Sequence, residues 1–370
     1  MTRRLRAAAL AGFYFIFLIS CSEKEPYVFG FVSSLSGPNS DLGAAGRNGV
    51  LLAVEEYNDK GGIHGRQIEI VIKDHQMDSA QLSHISGVFA DAGIEIVIGP
   101  FTSEMTKAIL PIADAGDLII LSPTASSKEF LNLDDNLIRL NSSTLENTQY
   151  YADFLIKEAA LMSCAVLYDN QNESFTKSWL NDFTRNYEKL GGRIVIAKYF
   201  NAQLDTDFTP ELESVLNSGA ETLLIIGNSI DSATLIQQLR HIDHTFPVTV
   251  SEWAGTKQFI ELGGKAVEGA IVLQSFNPFD ESESYRQFYN RYLERFQSEP
   301  TFAAIMSHDA CHVLFQALNL RIDEQTIKTA IIENGPYEGI QETIVINSFG
   351  DTKRKAVFSV VKNGQFRKIE

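Results

Sequence analysis

The sequence predicts an α/β fold of two similar doubly wound parallel-sheet lobes, joined by a three-strand hinge with a ligand cleft between them. Three observations predict it. From Tyr27 onward short β-rich runs alternate with helical patterns, an order that implies parallel pairing with right-handed crossovers. The chain has 370 residues, too many for one ordinary domain and enough for two of about 150. It also repeats itself. "SPTASSKEF" at 122–130 aligns with "SEWAGTKQF" at 251–259, an offset of 251 − 122 = 129, pairing Ser122, Ala125, Lys128 and Phe130 with Ser251, Ala254, Lys257 and Phe259. Gly61 and Gly62 pair with Gly191 and Gly192 at 191 − 61 = 130, and Gly99 pairs with Gly227 at 227 − 99 = 128. Agreement of the offsets argues against a chance match.

The elements follow in order. "YVFGFVSSL" reads as a strand, and the next stretch sets Val50, Leu51, Val54 and Tyr57 at helical spacing before Gly61 and Gly62, which supply a left-handed ending. Strand "QIEIVIKD", a helix over 79–91, strand "EIVIG", a helix from Ser103 to Ala115 and strand "DLIILS" complete the first run. The second starts with "CAVLYD" and continues with a helix over 173–190, "GGRIVIAKYF", a helix near 209–218, "ETLLIIGN", a helix near 230–241 and "FPVTVSE". The remainder holds helical patterns at 281–297, 301–319 and 324–333, strand "ETIVIN" and a closing pair "AVFSVVKNG" and "QFRKIE". It is too short for a third domain, so it completes both lobes. The expected division is 27–141 plus 276–352 for one lobe and 142–275 plus 353–370 for the other.

Residues 1–20 read differently. Arg3, Arg4 and Arg6 precede the apolar run "AAALAGFYFIFLI", which is shorter than the roughly 20 residues a permanent span needs and reads as an export signal. The run ends in "LISC", which resembles the lipobox of bacterial lipoproteins. That resemblance implies diacylation of Cys21, a lipidated linker over 21–26, and a location at the bacterial cell envelope facing the periplasm or the exterior. Acyl chains on Cys21 would be the chain's only hold on a membrane.

Composition narrows the function. Apolar residues are 44% and charged residues 21% of the chain, ordinary for a soluble globular protein. Removal of three arginines leaves 28 basic and 47 acidic residues, so the charge becomes 28 − 47 = −19. Such a surface repels phosphate backbones, which excludes nucleic acid as a partner. Cys164 and Cys311 lie in apolar or helical surroundings and read as buried thiols with no disulfide framework. No GxSxG, HExxH, CxxC or phosphate-binding glycine loop occurs, so the expectation is no enzyme and no cofactor. His308 and His312 of "HDACH" share one helical face, but HxxxH arises often by chance, and they read as satisfied helix residues with no metal. "DESES" reads as solvated surface.

In an open parallel sheet, ligands sit outside the carboxyl ends of the strands. Both copies of the repeat lie at such junctions. In the first lobe, Phe101 and Ser103 follow "VIGP", and Thr124, Ala125 and Ser126 occupy the next loop. Hydroxyls, free N–H groups and a helix start make a place for a carboxylate, although N-capping alone accounts for one such loop. The second copy carries Glu252 where the first has Pro123, and Trp253 where it has Thr124. A carboxylate at the end of a buried strand is costly unless a cation meets it. Donors on one lobe and a lone acid on the other suit a small zwitterion, with a salt bridge from Glu252 to Lys257 as the plainer alternative.

The stretches "SSLSGPNSDLG", "NDKGGIHGRQIEIVIKD", "IVIGPFTS" and "LSPTASS" resemble the leucine/isoleucine/valine-binding proteins, the type I solute-binding proteins of branched-chain amino-acid ABC importers. The resemblance runs from residue 27 to the end and is weakest after 280. It implies that Ser103 and Ser126 bind a ligand carboxylate, that the backbone at Thr124 and Glu252 take its ammonium, and that ABC permease subunits are partners. Two departures stand out. A tyrosine of the family falls near Glu173 here, with Tyr168 and Phe175 close by, and another falls at Ser229. Loss of two aromatic walls would admit a polar side chain. A cysteine pair of some members is Met77 and Thr102 here, so that cross-link is absent. Two other functions remain open on the same fold: a sensory binding protein, and a binder of an amide, urea or short-chain acid.

Overall fold

Hydrophobic alternation along the first half of the chain builds a parallel sheet covered on both faces. The computed structural model describes residues 24–369 apart from 38 and 203; the expected signal at 1–20 and the expected acylation site Cys21 lie outside the described residues. Strand β1 (Tyr27–Ser33) leads into α1 (Ser40–Asp59), followed by β2 (Ile68–Asp74), α2 (Ser79–Asp91), β3 (Ile96–Ile98), α3 (Ser103–Ala115), β4 (Ile119–Ser122) and β5 (Leu137–Arg139). The five strands are parallel in the order β2-β1-β3-β4-β5. Val32, Ile85, Phe89, Ile109 and Ile120 pack one face of this sheet, against α2 and α3.

The second lobe repeats the arrangement. Helix α4 (Thr144–Asp153) leads to β6 (Ser163–Asp169), α5 (Glu173–Lys189), β7 (Arg193–Phe200), α6 (Thr209–Leu216), β8 (Thr222–Ile226), α7 (Ser229–Ile242), β9 (Val248–Val250), α8 (Lys257–Gly263) and β10 (Ile271–Gln274). Its parallel strands run β7-β6-β8-β9-β10, which is the first sheet's order element for element. The repeated glycines occupy matching places. Gly61 after α1 has φ 96° and Gly191 after α5 has φ 92°, backbone that a residue with a Cβ resists.

The tail returns to both lobes. Helices α9 (Glu283–Phe296), α10 (Phe302–Leu320) and α11 (Ile327–Glu333) are followed by a two-residue ladder of β11 (Tyr337–Glu338) with β12 (Thr343–Ile344). Strands β13 (Val357–Val361) and β14 (Phe366–Lys368) then extend the second sheet, antiparallel beside β10. The chain therefore passes between sheets three times, after β5, after β10 and before β13. Two of the passing segments touch, with Ser142 Oγ accepting from Arg354 N at 2.7 Å.

Several expectations need correction. "ETIVIN" forms only the two residues of β12, because β11 pairs with Thr343 and Ile344 alone and Ile346 makes a lone bridge to Thr352. The sequence carries no distinct signal for β5, α4, α8 and β10, which are three to ten residues long. Cys164 and Cys311 are free and buried as expected. Among the described residues no helix is long and apolar enough to cross a membrane.

Candidate ligand site between the lobes

The strand ends of both sheets converge on one pocket, partly open to solvent, that residues of both lobes line, the place where ligands bind open parallel sheets. On the first lobe, Gly99 closes β3 with φ 102°, and a Cβ there would stand 2.1 Å from Val32 O. This tight turn sends Phe101 and Thr102 to the cavity wall. Thr102 caps α3 through its side chain, so capping accounts for Thr102 and leaves Ser103 for other work. Ser103 Oγ accepts from the N–H of Ser126 at 3.3 Å and of Ser127 at 3.2 Å. Its lone pairs are thereby engaged and its proton is left as a donor. Thr124 Oγ1 donates to Phe101 O at 2.5 Å, which ties the two loops together.

The second lobe contributes the acid. After β9 a single turn, Glu252–Ala254, places Glu252 in the cavity wall with only 5% of its surface exposed. Oε1 accepts from Asn147 Nδ2 of α4 at 2.9 Å, and Oε2 accepts from Trp179 Nε1 of α5 at 2.9 Å. Burial raises its pKa, opposed by those two donors. Among the described residues no cation pairs with it. Lys257, the alternative partner weighed from sequence, instead meets Glu299 at 2.9 Å and Glu261 at 3.8 Å.

Of the residues expected from sequence, Phe101, Ser103, Thr124, Ser126, Glu252 and Trp253 line this one cavity. Ala125 and Ser229 do not. The Ala125 methyl packs into the first lobe's core with Ile109 and Ile120, because successive side chains of the loop point to opposite sides. Ser229 is fully buried at the start of α7, its hydroxyl 2.7 Å from Thr256 Oγ1. Sequence reasoning missed Leu42, Asn141, Asn172 and Phe302, which complete the lining. Asn141 follows β5, a strand without a distinct sequence signal, and its Oδ1 is buried without a partner while Nδ2 donates to Thr124 O at 3.2 Å.

The expected loss of aromatic walls is also corrected. Phe175, in the first turn of α5, reaches the cavity and meets the Trp253 ring edge-on at 5.5 Å. With Phe101 and Phe302 it restores an apolar surround.

The lobes stand closed over this space. Asn172 Oδ1 accepts from Glu104 N at 3.0 Å, Glu104 Oε2 accepts from Ser174 N at 2.9 Å, and Lys128 N donates to Ser178 Oγ at 3.0 Å. Lys128 Nζ also reaches Asp182 at 3.1 Å. At the opposite lip the Lys257–Glu299 pair crosses the gap.

A family model described as "Periplasmic binding protein" matches residues 26–365. The chain belongs to the periplasmic binding protein family. Among curated relatives of this periplasmic binding protein, the leucine-, isoleucine-, valine-, threonine- and alanine-binding protein of Pseudomonas aeruginosa is 23% identical over 274 residues, 74% of this chain and 71% of the relative. Leu/Ile/Val-binding protein homolog 1 of Brucella suis is 24% identical over 331 residues, covering 86% and 85%. Solved structures share the fold. The leucine-binding protein LivK of Thermotoga maritima superposes with a TM-score of 0.85 at 22% identity, covering 93% of this chain and 98% of that one. LivJ of Streptococcus pneumoniae in complex with isoleucine gives 0.85 at 22%, covering 92% and 98%. A solute-binding protein of R. palustris in complex with benzoate gives 0.82 at 15%, covering 93% and 95%.

Proposed function

We propose that this periplasmic binding protein captures a small amino acid with an apolar side chain, branched-chain or related, and delivers it to an ABC importer. The observation that carries the reading is Glu252: a buried carboxylate, held by two neutral donors and facing the cavity with no cation beside it among the described residues. An α-ammonium would supply that cation. Thr124 O and the unpartnered Asn141 Oδ1 offer it two further acceptors. The carboxylate of the ligand would lie across the cavity, taking protons from Ser103 Oγ and Ser126 Oγ and facing the positive end of α3. Phe101, Phe175, Trp253 and Phe302 then surround the side chain.

Capture proceeds by closure. Lobes 27–141 plus 276–352 and 142–275 plus 353–370 rotate about the three connecting segments. A ligand held first by Ser103 and Ser126 gains its Glu252 contact only in the closed form, so its differential affinity shifts the population toward closure. The closed surface is what permease subunits would recognise. Export through the signal at 1–20 and acylation of Cys21 would hold the protein at the cell envelope. A ligand with an acid group alone would leave Glu252 unmatched, which weighs against an amide or short-chain-acid binder. A thermal-shift screen of the standard amino acids with small amides and acids tests the reading. Stabilisation by an apolar amino acid supports it, and stabilisation only by acids or amides refutes it.

A further inference from the structure

The two longest helices of the first lobe approach closely enough to bring together residues about 250 positions apart. Gly49 of α1 lies against Ala304 of α10, where an added Cβ would stand 2.2 Å from Ala304 O. The helices run side by side in the same direction, so a residue two turns beyond Gly49 faces one to two turns beyond Ala304. That residue is Glu56. Its Oε2 lies 3.2 Å from His308 Nε2 and 3.8 Å from His312 Nε2, and the three donor atoms lie within 4.8 Å of one another.

We infer that Glu56, His308 and His312 form a binding site for a divalent transition metal ion of the zinc class. The chemistry fits in four respects. Two imidazoles at i and i+4 on one helix with a carboxylate from a neighbour are a donor set zinc takes. Tetrahedral ligands at about 2.0–2.1 Å stand about 3.3 Å apart; the two carboxylate–imidazole spacings of 3.2 and 3.8 Å are near that, and the third, within 4.8 Å, closes by movement of the partly exposed His312 ring. Both Nε2 atoms already face the same carboxylate oxygen, and His312 Nε2 is buried without a hydrogen-bond partner. The carboxylate is oriented from outside: Arg291 of α9 binds Oε1 at 3.0 Å, which leaves Oε2 for the ion, the kind of supporting contact that metal ligands use. The His308 ring is fixed, held edge-on by Phe288 at 4.9 Å, with the partly exposed His312 ring stacked beside it at 4.4 Å. His312 is partly exposed, so water reaches that side and would complete the set.

This site is separate from the cleft. Glu56 lies about 21 Å along α1 from Leu42, at 1.5 Å rise per residue. An ion there staples the two helices whose first turns, at Leu42 and Phe302, wall the ligand cavity.

The test is titration of the purified, tag-free protein with zinc, read by competition with a chromogenic chelator, and with cobalt, read by visible absorption. The expected result is one ion per chain with a Kd below about 10 μM and a tetrahedral cobalt spectrum. His312→Gln, at a partly exposed position, and Glu56→Gln should each weaken binding at least tenfold while circular dichroism shows the fold retained. His308→Ala is less informative because His308 is only 3% exposed. Absence of saturable one-to-one binding, or equal binding by wild type and His312→Gln, would overturn the assignment.

Discussion

The indole N–H of Trp179 donates to Oε2 of Glu252 over 2.9 Å, joining the middle of α5 to the turn after β9. Asn147 holds the other oxygen, so the carboxylate is fixed in direction before any ligand arrives. Trp179 is itself wedged edge-on against Tyr151 at 5.0 Å, and the Tyr151 hydroxyl donates to Val250 O and accepts from Leu273 N. The acid is thus held by side chains anchored in the second sheet. A fixed charge costs little to reorganise when its partner binds, which favours affinity and selectivity together.

Glu252→Gln should weaken binding of the preferred amino acid at least tenfold, about 1.4 kcal/mol. The folded state should not suffer, because the variant removes a buried charge that no cation meets among the described residues. Calorimetry and denaturant unfolding check the two halves. Unchanged affinity would remove Glu252 from the ligand's ammonium.

The same residue sets a pH dependence. Burial raises the Glu252 pKa in the ligand-free protein, so its contribution to stability is present below the ordinary glutamate range, about 4.3, and is lost as pH rises through the raised value. A bound ammonium offsets that loss. The ligand-induced rise in melting temperature should therefore be larger at about pH 8 than at about pH 4, and Glu252→Gln should flatten the difference. A shift of equal size at both pH values in the wild type would contradict this.

Phe175→Ala should discriminate by ligand size. Phe175 packs edge-on to Trp253 at the cavity wall, so its loss should cost a leucine-sized ligand about 1–2 kcal/mol more than alanine. Competition binding with the two amino acids measures the ratio directly. An equal loss for both would mean that the ring supports the fold of the wall and does not touch the side chain.

Closure should depend on the contacts across the α3–α5 lip. Ser178→Ala removes the acceptor of Lys128 N, and Glu104→Ala removes the acceptor of Ser174 N. Each should weaken affinity about threefold to tenfold, in keeping with about 0.5–1.5 kcal/mol per hydrogen bond, with the order of preference among amino acids unchanged. Small-angle scattering should report a more open ligand-free form. Lys257→Ala at the other lip should change little, because exposed pairs contribute about 0–1 kcal/mol.

Much of the fold was legible because its signals are local. Alternating strand and helix patterns, and glycines such as Gly61 and Gly191 that need positive φ, can be read residue by residue, and the offset near 129 then implies a second lobe. The short strands carry little signal because two or three apolar residues, as in β5 and β10, look the same in a loop or a core. For the site, Ser103, Thr124, Ser126 and Glu252 stood at strand ends where the topology predicts a cleft. Asn141 and Phe302 did not, since they reach the cavity from a crossing segment and a tail helix whose placement is set by long-range packing. Glu56 is the clearest case of the same limit. Nothing near it in sequence points to His308 and His312, and only the close approach of Gly49 to Ala304 brings them together.

The most direct test is a calorimetric titration that compares the preferred amino acid with its deaminated analogue, identical in side chain and carboxylate. If Glu252 receives an ammonium, the amino acid binds saturably and the deaminated acid binds at least tenfold more weakly. Equal or tighter binding of the deaminated acid would contradict the assignment of the cleft to an amino acid.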